Sequence, residues 1–325
     1  MQRWRASLKA VSEFGLCLTH PDCRGHVTTF GHPERVARLD AALAGARRAG
    51  FREETPEVNE AAVLQAVTRI HDPNLPERLR KACERAPALF DSADNPISPG
   101  SYRAAVAAVA CALEGLERLR MGEASRVFAA IRPPGHHATR SQAMGFCFFN
   151  NVAVVAEAAC TEGLGPVAIV DFDVHHGNGT QELFYHRDDV FYLSVHRYPF
   201  YPGTGGADEV GVGQGRGFTR NFPLAAGADD DTYVGALSYG LEELTKTMTP
   251  ELWLVSAGFD AHELDPLGGM AVTTAGFARI GKLLAEAAAG KPLLAVLEGG
   301  YHLKALEDSV AVFLSALLGG EAPKA

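Results

Sequence analysis

Several features of membrane, secreted and nucleic-acid-binding proteins are missing from this sequence of 325 residues. No apolar run is long enough to span a bilayer. Residues 1–10 are too charged for a signal peptide and lack its apolar core. The formal net charge is −9, so no basic excess is available for general nucleic-acid binding. We therefore predict a cytoplasmic protein that binds neither membranes nor nucleic acid directly.

Paired cysteines are also missing. The six cysteines are scattered along the chain, and no two of them form a CxxC pair. We expect reduced thiols, several of them in the core, as is usual for proteins of a reducing compartment. These residues are Cys17, Cys23, Cys83, Cys111, Cys147 and Cys160.

Three common catalytic or cofactor motifs are absent or incomplete. Ser256 in LVSAG lacks the first glycine of the GxSxG elbow of serine hydrolases, and no HExxH zinc motif occurs. The glycine-rich segment 211–217 (GVGQGRG) does not follow a strand pattern and open a helix, as a dinucleotide-binding fingerprint does. The sequence therefore predicts neither a serine nucleophile, nor a zincin site, nor a dinucleotide site.

Apolar strand patterns alternate with helical patterns along the chain. No linker-like break divides them, so we predict a single domain over residues 1–325. Strands that alternate with helices form a parallel sheet, so the expected fold is α/β, an open parallel β-sheet flanked by helices. Strands are predicted at 14–19, 127–131, 190–195, 252–257 and 293–297, with a central strand that begins at Val167. Helices are predicted at 58–67, 75–86, 101–120, 179–186, 229–247, 274–289 and 303–318, with another that ends at Ala159.

Polar residues follow the predicted strands at the points where these strands end. The carboxyl ends of parallel strands share one edge of the sheet, where ligands bind in open α/β folds. A carboxylate and an imidazole two residues apart, as after the central strand in VAIVDFDVHHGNGTQ (167–181), fit one half of a metal site. Singly, each residue has a plainer interpretation, as a helix cap or an unrelated loop histidine. Their shared position favours one site, and the residues are His136, His137, Asp173, His175, Asp260 and Tyr301.

Seven motifs together resemble those of the zinc-dependent deacetylase superfamily. That superfamily includes histone deacetylases, acetylpolyamine amidohydrolases and acetoin-utilisation proteins, and the resemblance implies its arginase/deacetylase-like fold. The similarity extends from about Gly31 to Tyr301, and HHGNGTQ and GFCFFNN are most similar to class II histone deacetylases. The motifs, in the family's order, are HPERVARL, RPPGHHA, GFCFFNN, DFDVHHGNGTQ, YPGTG, SAGFDAH and EGGY.

The resemblance implies two metal ions in each chain. One Zn²⁺ is expected on Asp173, His175 and Asp260. Three nitrogen and oxygen ligands that leave a position open are typical of a catalytic zinc. A structural K⁺ is expected among Asp171, Asp173, His175 and Ser194, held partly by backbone carbonyls.

The catalytic residues are assigned by the same resemblance. His136 and His137 match the tandem histidines beside the metal, and Tyr301 matches the tyrosine that hydrogen-bonds the substrate carbonyl. Asp171 matches the carboxylate behind the first histidine, and Asn178 stands behind the second, as in class II members. A carboxylate partner stabilises imidazolium more than an amide does. We therefore expect a protonated His136 and an available base at His137, which would take the proton of the attacking water while Tyr301 stabilises the oxyanion.

The substrate-binding residues are also carried over from the family. Two aromatic walls and a glycine would line a tunnel for an acyl-lysine stem, and an apolar residue near the mouth argues against polyamines, because a polyamine-selective relative has glutamate there. An aspartate would grip the substrate backbone at the rim, and an arginine would lie near an internal acetate-release cavity. In this order the residues are Phe146, Tyr201 and Gly145, then Leu267, then Asp94, then Arg35.

Three functions are compatible with these residues. The first is a zinc-dependent hydrolase of N6-acetyl-lysine in proteins or peptides. The second is an amidohydrolase of acetylpolyamines or other small acetylated amines. The third is a non-catalytic acyl-lysine reader, which would have no need of a tyrosine aimed at an oxyanion. The expected partners are accordingly acetylated lysine proteins or small acetylated amines, and a homo-oligomer is left open.

Overall fold

One large parallel sheet organises the computed structural model, which describes residues 15–320. The strands are β1 (Leu16–Leu18), β2 (Arg52–Glu54), β3 (Ala88–Leu89), β4 (Pro96–Ile97), β5 (Arg126–Ala129), β6 (Val167–Asp171), β7 (Val190–Arg197), β8 (Thr219–Leu224), β9 (Leu252–Ala257) and β10 (Leu293–Leu297). Eight of them form the sheet in the order β2-β1-β5-β10-β9-β6-β7-β8, with all neighbours parallel, and β3 and β4 form a separate antiparallel pair.

Helices cover the sheet. They are α1 (Ala37–Arg48), α2 (Glu60–Ile70), α3 (Leu75–Cys83), α4 (Ser101–Arg120), α5 (Asn151–Thr161), α6 (Asn178–Phe184), α7 (Asp230–Thr247), α8 (Thr274–Ala288) and α9 (Leu303–Leu317). Parallel crossovers are right-handed, so connections that run in opposite directions along the sheet place their helices on opposite faces. Every residue of β6, β9 and β10 is buried, which explains why these strands are apolar at all positions but Asp171 and Ser256 instead of alternating.

The chain reverses its direction across the sheet between β6 and β9. These two strands are neighbours, but the chain leaves β6 through α6 towards β7 and leaves β9 through α8 towards β10, on the other side. Such a switch point opens a crevice beyond the carboxyl ends of the strands, where open α/β sheets bind their ligands. The fold therefore places the residues after β6 and β9 at a binding crevice.

The predicted open parallel sheet flanked by helices is confirmed. The predicted strands 252–257 and 293–297 have the observed bounds, whereas the edge strands β2 and β8 were not predicted. An edge strand is covered less completely and so needs fewer apolar residues, and REE in β2 has none. Phe14, at the start of the predicted strand 14–19, and the segment 1–10 lie outside the described residues.

Two further predictions concern thiols and membrane spans. All six cysteines are free thiols, and all but the half-buried Cys160 lie in the interior. The helices within residues 15–320 are each too short or too polar to cross a membrane.

A buried ion network anchors the start of the loop that follows β5. The Glu34 carboxylate accepts hydrogen bonds from Arg132 and, at 3.1 Å, from Nη1 of Arg38, and His26 Nε2 lies 3.4 Å from it. All four side chains are buried. Burial alone would raise the pKa of Glu34, but Arg132 and His26 hold it well below its usual range. The network fixes Arg132, which stands four residues before the tandem histidines His136 and His137.

Replacement of Glu34 by alanine is expected to destabilise the fold. The change leaves two buried guanidinium groups without their carboxylate, and breaking a buried ion pair in this way costs about 3–5 kcal/mol. Urea unfolding followed by circular dichroism measures this loss. Glu77→Ala is the matched control, because Glu77 pairs with Arg80 on an exposed helix face and should leave the unfolding midpoint unchanged. Equal midpoints for the two variants would contradict the role of the network.

Candidate active site

Four strands deliver polar side chains to the crevice at the carboxyl edge of the sheet. β6 is followed by Asp173 and His175, β9 by Asp260, and β10 by Tyr301. The loop after β5 carries the tandem histidines. The structure thus brings together the residues that the sequence placed after strands.

Asp173, His175 and Asp260 form a group able to hold a metal ion. One ligand atom from each residue lies within 4.8 Å of the other two. His175 Nδ1 is 3.1 Å from Asp173 Oδ1 and 3.1 Å from Asp260 Oδ2. Both carboxylates are buried, and the imidazole is nearly so. An imidazole nitrogen and two carboxylate oxygens that converge in this way are a donor set suited to zinc.

Backbone hydrogen bonds hold these carboxylates in place. The amide N–H of Gly299 donates to Asp173 Oδ2 at 2.8 Å, and that of Val174 donates to Asp260 Oδ1 at 2.9 Å. Each carboxylate therefore keeps its other oxygen turned towards His175. Burial raises the pKa of Asp260, and the nearby negative charge of Asp173 raises it further. The two buried carboxylates therefore compete for the positive charge of the single imidazole beside them. A divalent cation would offset the negative charges of both carboxylates, so the residues present fit a metal ion.

The tandem histidines have different partners. Nδ1 of His136 lies 3.0 Å from Oδ2 of Asp171, and Nδ1 of His137 lies 2.8 Å from Oδ1 of Asn178. Both acceptors are oxygens, so each Nδ1 carries a proton and donates it. Nε2 of His137 then has a free lone pair, and the side chain lines the pocket described below. Asp171 also accepts the hydroxyl of Tyr192 at 3.1 Å, which fixes the carboxylate behind His136.

The partners separate the pKa values of the two histidines. Burial opposes the charge of His136, but Asp171 and Asp173 outweigh it and raise the pKa to about 10. Burial lowers the pKa of His137 well below its usual value, and the positive charges of His136 and His175 lower it further. These directions agree with those expected from a carboxylate behind one ring and an amide behind the other. One imidazolium and one neutral base therefore lie side by side.

Tyr301 faces these histidines from the end of β10. Its backbone N–H donates to Asp265 at 2.6 Å, and the Arg38 guanidinium lies over its ring, 4.8 Å from the centroid. Burial raises the pKa of Tyr301 well above its usual value, although Arg38 opposes the shift. The phenol is therefore neutral at physiological pH and can donate its O–H to a developing anion.

A cavity of about 260 Å³ opens onto these groups. Its walls include the rings of Phe146 and Tyr201 and the side chain of Leu267, and Asp94 lies at its mouth. Gly145 has φ +58°, and a Cβ there would lie 2.3 Å from the His137 ring, so only glycine fits. The lining residues are Asp94, His137, Gly145, Phe146, His175, Tyr201, Leu267 and Tyr301.

The comparison with protein families decides the assignment. Residues 32–317 match the model of the histone deacetylase domain. The chain belongs to the histone deacetylase family. It is accordingly a hydrolase of a family that acts on acetylated lysine or other acetylated amines.

Two of the family's members illustrate the similarity. Histone deacetylase 15 of Arabidopsis thaliana is 38% identical over 294 residues, which are 89% of this chain and 53% of that protein, so this chain spans about half of its length. The crystal structure of the HDA15 HD domain matches with a TM-score of 0.87 at 35% identity and covers 96% of this chain and 89% of that one. An acetylpolyamine aminohydrolase from Burkholderia pseudomallei matches with a TM-score of 0.82 at 32% identity and covers 93% of this chain and 98% of that one.

The expectation for Arg35 is wrong. Arg35 is exposed and lines a surface recess with residues 27–32. The internal arginine of the histone deacetylase motif HPERVARL is Arg38, whose Nε and Nη2 each donate at 2.5 Å to the carbonyl oxygens of Gly300 and Glu298. The helical pattern contained the necessary information, because Arg38 lies one turn before the buried Ala42 on the inner face of α1.

Glu298 is a site residue that sequence reasoning missed. Its buried carboxylate accepts the backbone N–H of Gly135 at 2.7 Å and of His136 at 3.2 Å. It thereby ties the tandem histidines to the end of β10. Its position directly after a buried strand, in EGGY, was the available indication.

The residues expected around a potassium ion lie at neighbouring strand ends. Asp171 of β6 is paired with Ser194 of β7 in the sheet register. The carboxylate of Asp171 accepts hydrogen bonds from His136 and Tyr192, and Ser194 Oγ lies 2.9 Å from His196 Nδ1. These side chains are thus already hydrogen-bonded within the described chain, and the potassium site stays a prediction.

Proposed function

We propose that the protein is a zinc-dependent deacetylase that hydrolyses the acetamide of N6-acetyl-lysine in proteins or peptides. One observation carries this proposal: the metal-binding group of Asp173, His175 and Asp260 lies at the pocket beside a neutral histidine and a neutral tyrosine. A water nucleophile, a base and an oxyanion donor are the requirements of amide hydrolysis without a covalent intermediate. A non-catalytic reader would need only the pocket.

Each residue has a chemical role in this proposal. A zinc ion on Asp173, His175 and Asp260 would supply a Lewis acid and lower the pKa of water. The free Nε2 of His137 accepts the proton of the attacking water. The Tyr301 hydroxyl donates a hydrogen bond to the oxygen of the acetamide as it becomes an oxyanion.

The leaving amine also needs a proton, and His137 supplies it. The amine leaves only after its nitrogen has gained a proton, and His137 carries one after the first step. His136, held as imidazolium by Asp171, keeps a positive charge beside the reacting atoms. No atom of the protein needs to form a bond to the acetyl group.

The pocket walls support a lysine stem as the substrate. Phe146 and Tyr201 offer aromatic faces and Leu267 an apolar one, which suits a four-carbon apolar chain. Asp94 is the one carboxylate among the side chains at the mouth, and it is already bonded to Tyr201. Acetylated polyamines are the second candidate, which the match to the acetylpolyamine aminohydrolase favours.

Acetate release from an acetyl-lysine peptide and from an acetylated polyamine, measured side by side, tests the proposal. We expect a higher kcat/KM for the peptide. A preference for the polyamine would place the protein with the small-molecule amidohydrolases. Binding of the acetyl-lysine peptide without acetate release, by protein that contains zinc, would favour a reader.

Leu267→Glu is expected to shift the selectivity towards the polyamine. The half-buried Leu267 lines the pocket, and a carboxylate there would attract a second ammonium group, by about tenfold if the gain is about 1.4 kcal/mol at a partly solvated mouth. The ratio of kcat/KM for the two substrates measures the shift. Leu264→Glu is the matched control, because Leu264 lies on the same loop but is 56% exposed and away from the pocket lining. Equal shifts in both variants would reject a local effect at Leu267.

We also propose that a structural K⁺ lies near Asp171 and Ser194, as the family resemblance implies. The adjacent strand ends, with their carbonyl oxygens, support this assignment.

A further inference from the structure

A hydrogen bond joins two loops at the mouth of the pocket. The hydroxyl of Tyr201, on the loop after β7, donates to Oδ2 of Asp94 at 2.8 Å. Asp94 lies in the turn between β3 and β4, 107 residues earlier in the chain. Both residues line the pocket. The bond therefore fixes the position of the one carboxylate in the lining.

The Asp94 carboxylate has little acceptor capacity left. Oδ2 accepts hydrogen bonds from the Tyr201 hydroxyl and, at 3.1 Å, from the backbone N–H of Gly145. Oδ1 accepts a hydrogen bond from the hydroxyl of Ser92. A carboxylate offers about four lone-pair positions. Three donors are already present, so about one position, on Oδ1, is open to a substrate.

The loop that carries Tyr201 is itself held against the catalytic centre. The ring of Phe200 stacks on His175 with centroids 5.2 Å apart, and the Arg197 guanidinium lies over Phe200 at 3.9 Å. The ring of Tyr201 meets His137 edge to face at 5.2 Å. Tyr201 therefore sets the position of Asp94 relative to the reacting atoms.

We propose that Tyr201 is a positioning residue that aims the free acceptor of Asp94 at a backbone N–H of the polypeptide carrying the acyl-lysine. This inference rests on the proposed function. A backbone amide N–H needs a single acceptor, and about one acceptor position of Asp94 is open. A substrate without a polypeptide backbone cannot make this hydrogen bond.

Steady-state kinetics of Tyr201→Phe tests this role. The substitution removes one hydroxyl and keeps the aromatic wall. Substrates are an acetyl-lysine peptide, the same peptide methylated on the backbone nitrogen of the acetyl-lysine, and N-acetylbutylamine, which has no backbone. We expect KM for the unmethylated peptide to rise about 3- to 10-fold, as for a charge-assisted hydrogen bond that loses its alignment. The kcat on the peptide, and both constants for N-acetylbutylamine, should change less than about twofold.

The methylated peptide shows whether the hydroxyl and the N–H act through one carboxylate. Methylation should raise KM for the wild-type protein by a similar factor and add little in Tyr201→Phe, because the two changes remove the same interaction. Tyr198→Phe is the matched control. Tyr198 lies on the same loop with the same 38% exposure, and its hydroxyl has no side-chain hydrogen bond among the described residues.

The outcomes separate this inference from the proposed function. Peptide turnover with an unchanged KM in Tyr201→Phe, or effects of substitution and methylation that simply multiply, would overturn the positioning role alone. A tenfold loss that extends to N-acetylbutylamine would also overturn it. Hydrolysis of N-acetylbutylamine without any hydrolysis of the peptide would overturn both.

Discussion

Tyr301→Phe is expected to lower kcat for an acetyl-lysine peptide about 100- to 1000-fold, the usual effect of losing one oxyanion donor. The hydroxyl interacts more strongly with the oxyanion than with the acetamide, so KM should change little. The neutral phenol is held by Asp265 from its backbone and by Arg38 over its ring, and phenylalanine keeps both contacts. Initial rates of acetate release over a range of peptide concentrations measure both constants.

The control for this prediction is Tyr239→Phe, which removes a hydroxyl from an exposed residue of α7. It should behave as the wild-type protein. A turnover of Tyr301→Phe within a few-fold of the wild type would reject the oxyanion role and leave the site without its assigned donor.

His137→Gln is expected to lower kcat by about 10²- to 10⁴-fold, the contribution of a positioned general base. Glutamine can still donate to Asn178 but has no basic nitrogen. His137 is not among the three metal-binding residues, so the zinc content should remain one ion per chain. Rates of acetate release, together with elemental analysis of the same samples, measure the two properties.

The result for His137→Gln is informative only if the fold is intact. His186→Gln, at an exposed position two residues after the end of α6, provides the control. Loss of zinc in His137→Gln would show that the histidine holds the metal centre together, and near-normal turnover would exclude it as the base.

The positions of the site residues were predictable because they follow buried strands. Apolar runs such as those of β9 and β10 mark strands by composition alone, and the carboxyl-end rule then places Asp260 and Tyr301 at one edge of the sheet. The edge strand β8 was not predicted, because TRNFPL alternates weakly and contains a proline. Core strands are thus easier to recognise than strands that are covered on fewer sides.

Contacts between distant segments were not predictable from a single sequence. The hydrogen bonds that Gly135 donates to Glu298 and that Tyr201 donates to Asp94 join segments 163 and 107 residues apart. No local pattern encodes such pairs, because they depend on how loops of different strands meet.

The most direct test of the account is a zinc titration of chelator-treated protein, with acetate release from the acetyl-lysine peptide as the readout. We predict no activity without metal, a rise that ends at one Zn²⁺ per chain, and no recovery in Asp260→Ala, which lacks one of the three ligand atoms. Full activity of the metal-free protein, or normal activity of Asp260→Ala, would contradict the assignment of Asp173, His175 and Asp260 as the catalytic metal site.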